Sequence, residues 1–135
     1  MTSEPSDSGP DLVVGQEGAA GGQGPWDVTF RVGNRGTQPV ELVQAWVPHP
    51  RFRAGLLELA DAGLLAAGAS TRLRFSVAFD EPPGTDVENT FIILQTRWRG
   101  ERWRVLTRMT ATSGPAGAPT TRVETVTSHR VGFSA

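Results

Sequence analysis

The sequence predicts an all-β protein, a two-sheet antiparallel sandwich of about seven to eight strands. Apolar and polar residues alternate over residues 26–32 and again over 71–79, as in strands with one buried face. Residues 90–112 predict two further strands joined by a tight turn. Gly, Pro, Asn and Asp separate these segments, and the sequence contains no long helical period. Together these patterns favour a sandwich over a helical or mixed fold.

Composition divides the chain into four segments. Residues 1–10 are rich in Ser, Pro and acidic residues, which predicts a disordered tail. Residues 11–112 carry the sandwich, starting with a short edge strand and a glycine-rich connector that lacks the Lys-Ser/Thr of a phosphate-binding loop. Residues 113–120 predict a loop or linker, and residues 121–135 predict a last strand and tail.

In the strand over 26–32, the alternation predicts that Trp26, Val28, Phe30 and Val32 face the core. The returning strand over 40–47 is predicted to turn Val43, Ala45 and Val47 inward and Leu42, Gln44 and Trp46 outward. Residues 51–69 mix Leu and Ala with Gly, which predicts a crossing segment with a short strand or one helical turn. The next strand is predicted to bury Leu73, Phe75, Val77 and Phe79.

The hairpin over 90–112 is predicted to turn at Gly100-Glu101, because a type II′ turn requires Gly at its first central position. Counting outward pairs Trp98 with Trp103 on an apolar face. On the opposite face it pairs Arg99 with Arg102 and Arg97 with Arg104. A slip of one residue would bury these four arginines, so the two faces are well specified.

Charge and composition exclude several function classes. The net charge is −1, which gives no general attraction to nucleic acid or to a membrane surface. The absence of cysteine excludes disulfides, thiolate nucleophiles and cysteine metal sites. No signal peptide and no apolar run of about 20 residues is visible, so we expect a soluble, cytoplasmic protein without a membrane partner.

Catalytic and metal-binding motifs are also missing from the sequence. His49 and His129 lack neighbouring carboxylates at ligand spacing, and no serine lies in a nucleophile-elbow motif. Four acidic residues cluster near one loop but match no calcium-binding motif, which favours ordinary solvation over Ca²⁺ binding: Asp80, Glu81, Asp86 and Glu88. We therefore expect a protein that is not an enzyme and has no cofactor.

The candidate binding surface combines the hairpin arginines with one outward tryptophan: Arg97, Arg99, Arg102, Arg104 and Trp46. Arginine and aromatic side chains are typical anchors of protein interfaces, which favours another protein or a second copy as partner. The acidic residues within 1–24 offer one such contact with the arginines. A polyanion, either nucleic acid or an acidic polymer, is the alternative ligand, and a solvated, ion-paired face without a ligand also fits the pattern.

Short turn motifs follow the alternating strands: Val32-Gly33-Asn34, Gly36-Thr37, Pro39-Val40 and Gly68-Ala69-Ser70-Thr71. With these motifs, residues 10–112 resemble the immunoglobulin-like adhesion and accessory domains of bacterial proteins. The resemblance implies an immunoglobulin-like sandwich that serves as a scaffold or binding surface, without catalytic residues. An immunoglobulin strand order would place Glu41 beside the hairpin.

Overall fold

A computed structural model describes residues 9–21, 24–59 and 63–131. This part of the chain forms nine strands and no helix, and every strand pair is antiparallel. The strands are β1 (Leu12–Ala20), β2 (Trp26–Asn34), β3 (Val40–His49), β4 (Phe52–Glu58), β5 (Leu64–Leu65), β6 (Ser70–Val77), β7 (Asp86–Trp98), β8 (Glu101–Ser113) and β9 (Pro119–Arg130). The predicted two-sheet antiparallel sandwich is confirmed.

Three strands form a small sheet in the order β1-β2-β6, and six form a large sheet in the order β4-β3-β7-β8-β9, with β5 also paired to β3. β3 lies beside β7 and places Glu41 opposite Arg97. β9 continues the large sheet beyond β8.

The core fills the space between the inner faces of the two sheets. In β2 the side chains of Val28, Phe30 and Val32 are fully buried, as their alternation predicts. Phe75 of β6 meets Phe30 edge-on, with ring centroids 5.9 Å apart. Complete burial of side chains of this size stabilises the fold by roughly 1.5–3 kcal/mol each, so these inward rows determine how the sheets stack.

The inward residues of β3 differ from the prediction at one place. Leu42 is buried and Val43 is half-exposed, the reverse of the expected orientation. The pairing of β3 with β7 shifts by one residue between Leu42 and Gln44, which marks a β-bulge. An extra residue reverses the alternation of side chains, so the inward series changes from Leu42 to Ala45 across the bulge.

The β7–β8 hairpin turns at Arg99-Gly100, and the predicted turn at Gly100-Glu101 is wrong. Both central residues have positive φ, 52° for Arg99 and 78° for Gly100, as a type I′ turn requires. The register therefore moves by two residues and sets Arg97 opposite Arg102. A shift of two keeps every side chain on its predicted face, and it leaves one directly opposed arginine pair where two were expected.

Two corners close the sandwich. At one corner, β4 meets the end of β6 through a bridge between Arg53 and Ala78. At the other corner, the side chain of Gln16 on β1 links to β9, donating to the carbonyl of Pro119 at 3.0 Å and accepting from the Thr121 N–H at 2.7 Å. β9 is thus part of the sandwich. The predicted tail over 1–10 lies mostly outside the described residues.

Candidate functional site

A row of apolar side chains crosses the outer face of the large sheet, the face turned away from the small sheet. Trp46 of β3 lies opposite Ile93 of β7, and Ile93 lies opposite Leu106 of β8. All three are half-exposed. On β4, exposed Leu56 lies in the irregular stretch opposite Trp46 and extends the row. With strands spaced about 4.8 Å apart, the row spans about 14 Å.

Arginines flank this row on both sides along the strands. Towards the hairpin turn, Arg104 lies opposite Gln95 and Arg102 opposite Arg97. In the other direction, Arg108 lies opposite half-exposed Phe91. We call this group of side chains the outer patch: Trp46, Phe91, Ile93, Leu106, Arg97, Arg102, Arg104 and Arg108.

Arg104 connects the arginines of the outer patch with its apolar row. Its guanidinium carbon lies 6.0 Å from the centre of the Trp46 ring, the geometry of a cation–π contact. The side chain is half-buried, and its Nε has no hydrogen-bond partner in the described part of the chain. A positive charge is thus held beside the tryptophan ring at the centre of the patch.

The ion pairs of the described residues lie elsewhere. Glu17 on the small sheet contacts Arg72 at 2.6 Å and Arg31 at 3.2 Å. The hydrogen bond from Arg72 is the largest of the effects that lower the pKa of the Glu17 carboxyl below its usual range, and Arg31 adds to it. Asp11 pairs with Arg35 at 3.2 Å. Of the acidic residues within 1–24, Asp11 and Glu17 thus pair with arginines outside the hairpin, and the other two lie outside the described residues.

No ion pair among the described residues includes an arginine of the outer patch. Arg108 donates to the amide oxygen of Asn89 at 3.2 Å, a neutral partner. Arg97 and Arg102 face each other directly, and such opposed like charges destabilise a strand pair by roughly 0.2–1 kcal/mol. The patch therefore carries four positive charges against two nearby carboxylates: Glu41 lies opposite Arg97, and the charge of Arg108 is among the effects that lower the pKa of Glu124.

The structure brings together four of the five predicted binding residues: Trp46, Arg97, Arg102 and Arg104. Arg99 is apart from them, because it occupies the turn with its guanidinium carbon 5.4 Å from the centre of the Trp98 ring. Its expected position opposite Arg102 is wrong. Sequence reasoning left Ile93 and Leu106 out of the site. Alternation along the strands puts both residues on the arginine face, and their apolar side chains at these outward positions were the signal that was missed.

The two hairpin tryptophans face the core side, as predicted. Trp103 is 3% exposed, and Trp98 is half-buried against it with ring centroids 5.7 Å apart at an angle of 88°. The Trp103 ring is therefore closed to a ligand, and the Arg99 guanidinium lies over the Trp98 ring. The stacking platform that single-stranded nucleic acids favour is therefore not built at this hairpin.

The histidines and acidic loop residues have local partners. His49 Nδ1 accepts from the Arg51 N–H at 3.0 Å, and His129 hydrogen-bonds Thr127 at 3.0 Å. Glu81 pairs with Arg51 at 2.7 Å, an interaction that lowers the pKa of its carboxyl. Across the described ranges, no three His, Asp or Glu side chains converge in a way that could hold a metal ion.

An open pocket of 490 Å³ lies at one end of the sandwich, beside Trp26 and Phe79. Asp80 and Glu81 are its ionisable side chains, and Glu81 is already engaged by Arg51. The lining therefore offers carboxylates without a paired nucleophile or base. Among the described residues, no helix has the length and apolarity to cross a membrane.

Comparison with protein-family models, curated proteins and solved structures finds no significant match to this chain. The resemblance to immunoglobulin-like accessory domains remains a prediction that depends on the turn motifs. Any functional assignment consequently depends on the geometry and charge of the outer patch.

Proposed function

We propose that this protein is a non-enzymatic interaction module that binds a partner protein through the outer patch. The observation that carries the proposal is the row of Trp46, Ile93 and Leu106 across an exposed sheet face. A sheet face open to water is usually polar, so an apolar row there is best explained by a surface that covers it. Protein interfaces combine such aromatic and aliphatic anchors with arginine.

The position of the patch supports binding without much reorganisation. Its apolar residues lie on β3, β7 and β8, each of which is paired on both sides within the large sheet. The opposite faces of these strands pack into the core through fully buried side chains such as Leu94 and Val105. A surface built on a rigid scaffold loses little conformational entropy on binding.

Binding of a polyanion through the arginine-rich hairpin face is the second candidate. It is favoured by Arg97, Arg102 and Arg104, which form no ion pair in the described part of the chain. Polyanion binding would depend steeply on salt and only weakly on the apolar row. Binding of a protein would depend on both.

The test uses the full chain as bait and then compares variants with the purified partner. We expect the double variant Trp46→Ala, Leu106→Ala to bind the partner at least about 30-fold more weakly than the unchanged protein does, because central anchors of this kind dominate binding. Val13→Ala is the matched control, since Val13 is 45% exposed on the small sheet outside the patch. Circular dichroism checks that each variant is folded.

Equal affinity of the double variant and the unchanged protein for the partner would overturn the proposal. Heparin provides the second arm of the experiment. Suppose that the protein binds heparin, that Arg97→Ala with Arg104→Ala abolishes this binding, and that the apolar double variant keeps it. This result would support the polyanion candidate in place of the protein partner.

A further inference from the structure

The arginines of this protein divide into two groups by their surroundings. Six have a carboxylate within ion-pair distance: Arg31, Arg35, Arg51, Arg72, Arg122 and Arg130. No such pair forms, within the described ranges, for the four arginines of the outer patch or for Arg53, Arg74 and Arg99. Most of the arginines without an ion pair therefore lie on the face that also carries the apolar row.

We infer that the segment covering the outer patch is an acidic protein segment with apolar side chains between its carboxylates. This inference rests on the proposed function and adds the chemistry of the partner. The planar guanidinium group of arginine binds a carboxylate through two parallel hydrogen bonds. Arg97 and Arg102, opposite each other on adjacent strands, can hold one carboxylate between them and so relieve their mutual repulsion.

The spacing of the patch limits the length of this segment. Along β7, Arg97 lies near one end of the patch, Ile93 near the middle, and Phe91 opposite Arg108 at the other end. Arg97 lies six residue steps from Phe91 along the strand, about 20 Å at 3.4 Å per step. An extended segment of about seven residues, or a helix of about 13, covers that distance. Carboxylates near both ends and apolar residues between them would match the patch.

Charge argues against a second copy of this chain as the covering surface. Two outer patches placed face to face would bring arginines against arginines, because Glu41 and Glu58 are too few to neutralise them. Gln44 also donates to the Glu58 carboxylate at 3.0 Å, which already uses one of its acceptors. Like charges brought together in this way disfavour association, so an acidic partner fits better than a copy.

The experiment selects a ligand without knowing the natural partner. Random 12-residue peptides displayed on phage are selected for binding to the immobilised full chain. Peptides that also bind the Trp46→Ala variant are then removed, so that the remaining peptides are those that need the patch. We expect enrichment of Asp and Glu together with Leu, Phe or Trp. A synthetic copy of the leading peptide should bind the Arg97→Ala, Arg104→Ala double variant at least about tenfold more weakly than it binds the unchanged protein. A version of the peptide with Asn and Gln in place of Asp and Glu should lose at least about the same factor in affinity for the unchanged protein.

Arg74→Ala is the matched control, because Arg74 is exposed on β6 of the small sheet and also has no ion pair within the described residues. It should leave the affinity for the peptide unchanged. Selected peptides that need Trp46 but are not enriched in acidic residues would overturn this inference and leave the proposed function standing. If no selected peptide depends on Trp46, both proposals fail.

Two further measurements separate other occupants of the patch. A 20-nucleotide oligothymidine that binds only when Arg97 and Arg104 are present, with no acidic peptide selected, would assign the patch to nucleic acid and overturn the inference. If light scattering shows a dimer at micromolar concentration, and the Trp46→Ala variant is a monomer under the same conditions, the patch would be assigned to a second copy. That result would also overturn the inference.

Discussion

The guanidinium group of Arg104 reaches across β7 to the indole ring of Trp46, with 6.0 Å between its carbon and the ring centre. The two residues are 58 positions apart in the sequence and two strands apart in the sheet. Their contact unites the cationic and apolar parts of the outer patch. It therefore gives a direct way to measure how strongly these parts are coupled.

A double-mutant cycle with Trp46→Ala and Arg104→Ala should show a coupling free energy of about 0.5–1 kcal/mol, the usual size of a partly exposed cation–π contact. The measurement is urea denaturation of the four proteins. Arg102→Ala provides the comparison, because Arg102 lies opposite Arg97 at the end of the patch, four residues along β7 from the partner of Trp46. If the coupling free energy between Arg104 and Trp46 were no larger than that between Arg102 and Trp46, the result would contradict the contact.

Replacement of Asn34 by alanine should destabilise the fold by about 2–4 kcal/mol, because it would leave several buried polar groups unpaired. The Asn34 side chain is 2% exposed and donates to the carbonyls of Gln38 at 2.9 Å and Leu65 at 3.0 Å. Its Oδ1 also accepts from the Gly36 N–H at 2.9 Å. Urea denaturation gives the free energy of unfolding.

The control for Asn34 is Gln38→Ala, which removes an exposed side chain and keeps the backbone carbonyl that Asn34 uses. We expect this control to stay within about 0.5 kcal/mol of the unchanged protein. An Asn34→Ala variant as stable as the control would show that the three hydrogen bonds contribute little.

Replacement of Gly100 by alanine should cost about 1 kcal/mol through backbone strain alone. Gly100 has a φ of 78°, and no atom lies within 4 Å of the position that a Cβ would take. Gly55→Ala is the matched control, since Gly55 is equally open but lies outside the positive-φ region. In thermal unfolding, Gly100→Ala should have a lower melting temperature than Gly55→Ala. The opposite order would argue against the turn at Arg99-Gly100.

Replacement of Glu17 by glutamine should lower stability at pH 7 and have no effect in acid. The hydrogen bond from Arg72 lowers the pKa of Glu17 in the folded protein from its ordinary value of 4.5. A lowered folded pKa stabilises the fold above the unfolded value, and this contribution is lost as the pH falls through the folded pKa. Asp27→Asn, exposed on β2 of the same sheet, serves as the control. A stability difference between Glu17→Gln and the unchanged protein that persists at low pH would contradict the prediction.

The sequence predicted some parts of the fold well, because they depend only on alternation within one strand. The buried faces of β2 and β6 and the two faces of the β7–β8 hairpin are as expected. The hairpin register was wrong by two residues, since Gly100 can serve as the first central residue of a type II′ turn or the second of a type I′ turn, and the glycine alone does not choose between them. The bulge that exchanges Leu42 and Val43 has no marker in the sequence, because it depends on how β3 fits against β7.

The candidate site could be predicted only in part. Trp46 and the arginines were identified from their outward positions, but their proximity depends on β7 lying between β3 and β8. Arg99 was placed wrongly because its position depends on the turn type.

By itself, the sequence determined which side chains of the long strands face the core and which face water, since the pleat of a strand has a period of two residues. Only the tertiary structure decided which strands are neighbours and where bulges interrupt the alternation. It thereby placed Trp46, Ile93 and Leu106 in one row beside arginines that form no ion pair within the described residues. The reason is physical: strand order and bulges follow from packing between segments far apart in the chain, which no local pattern encodes.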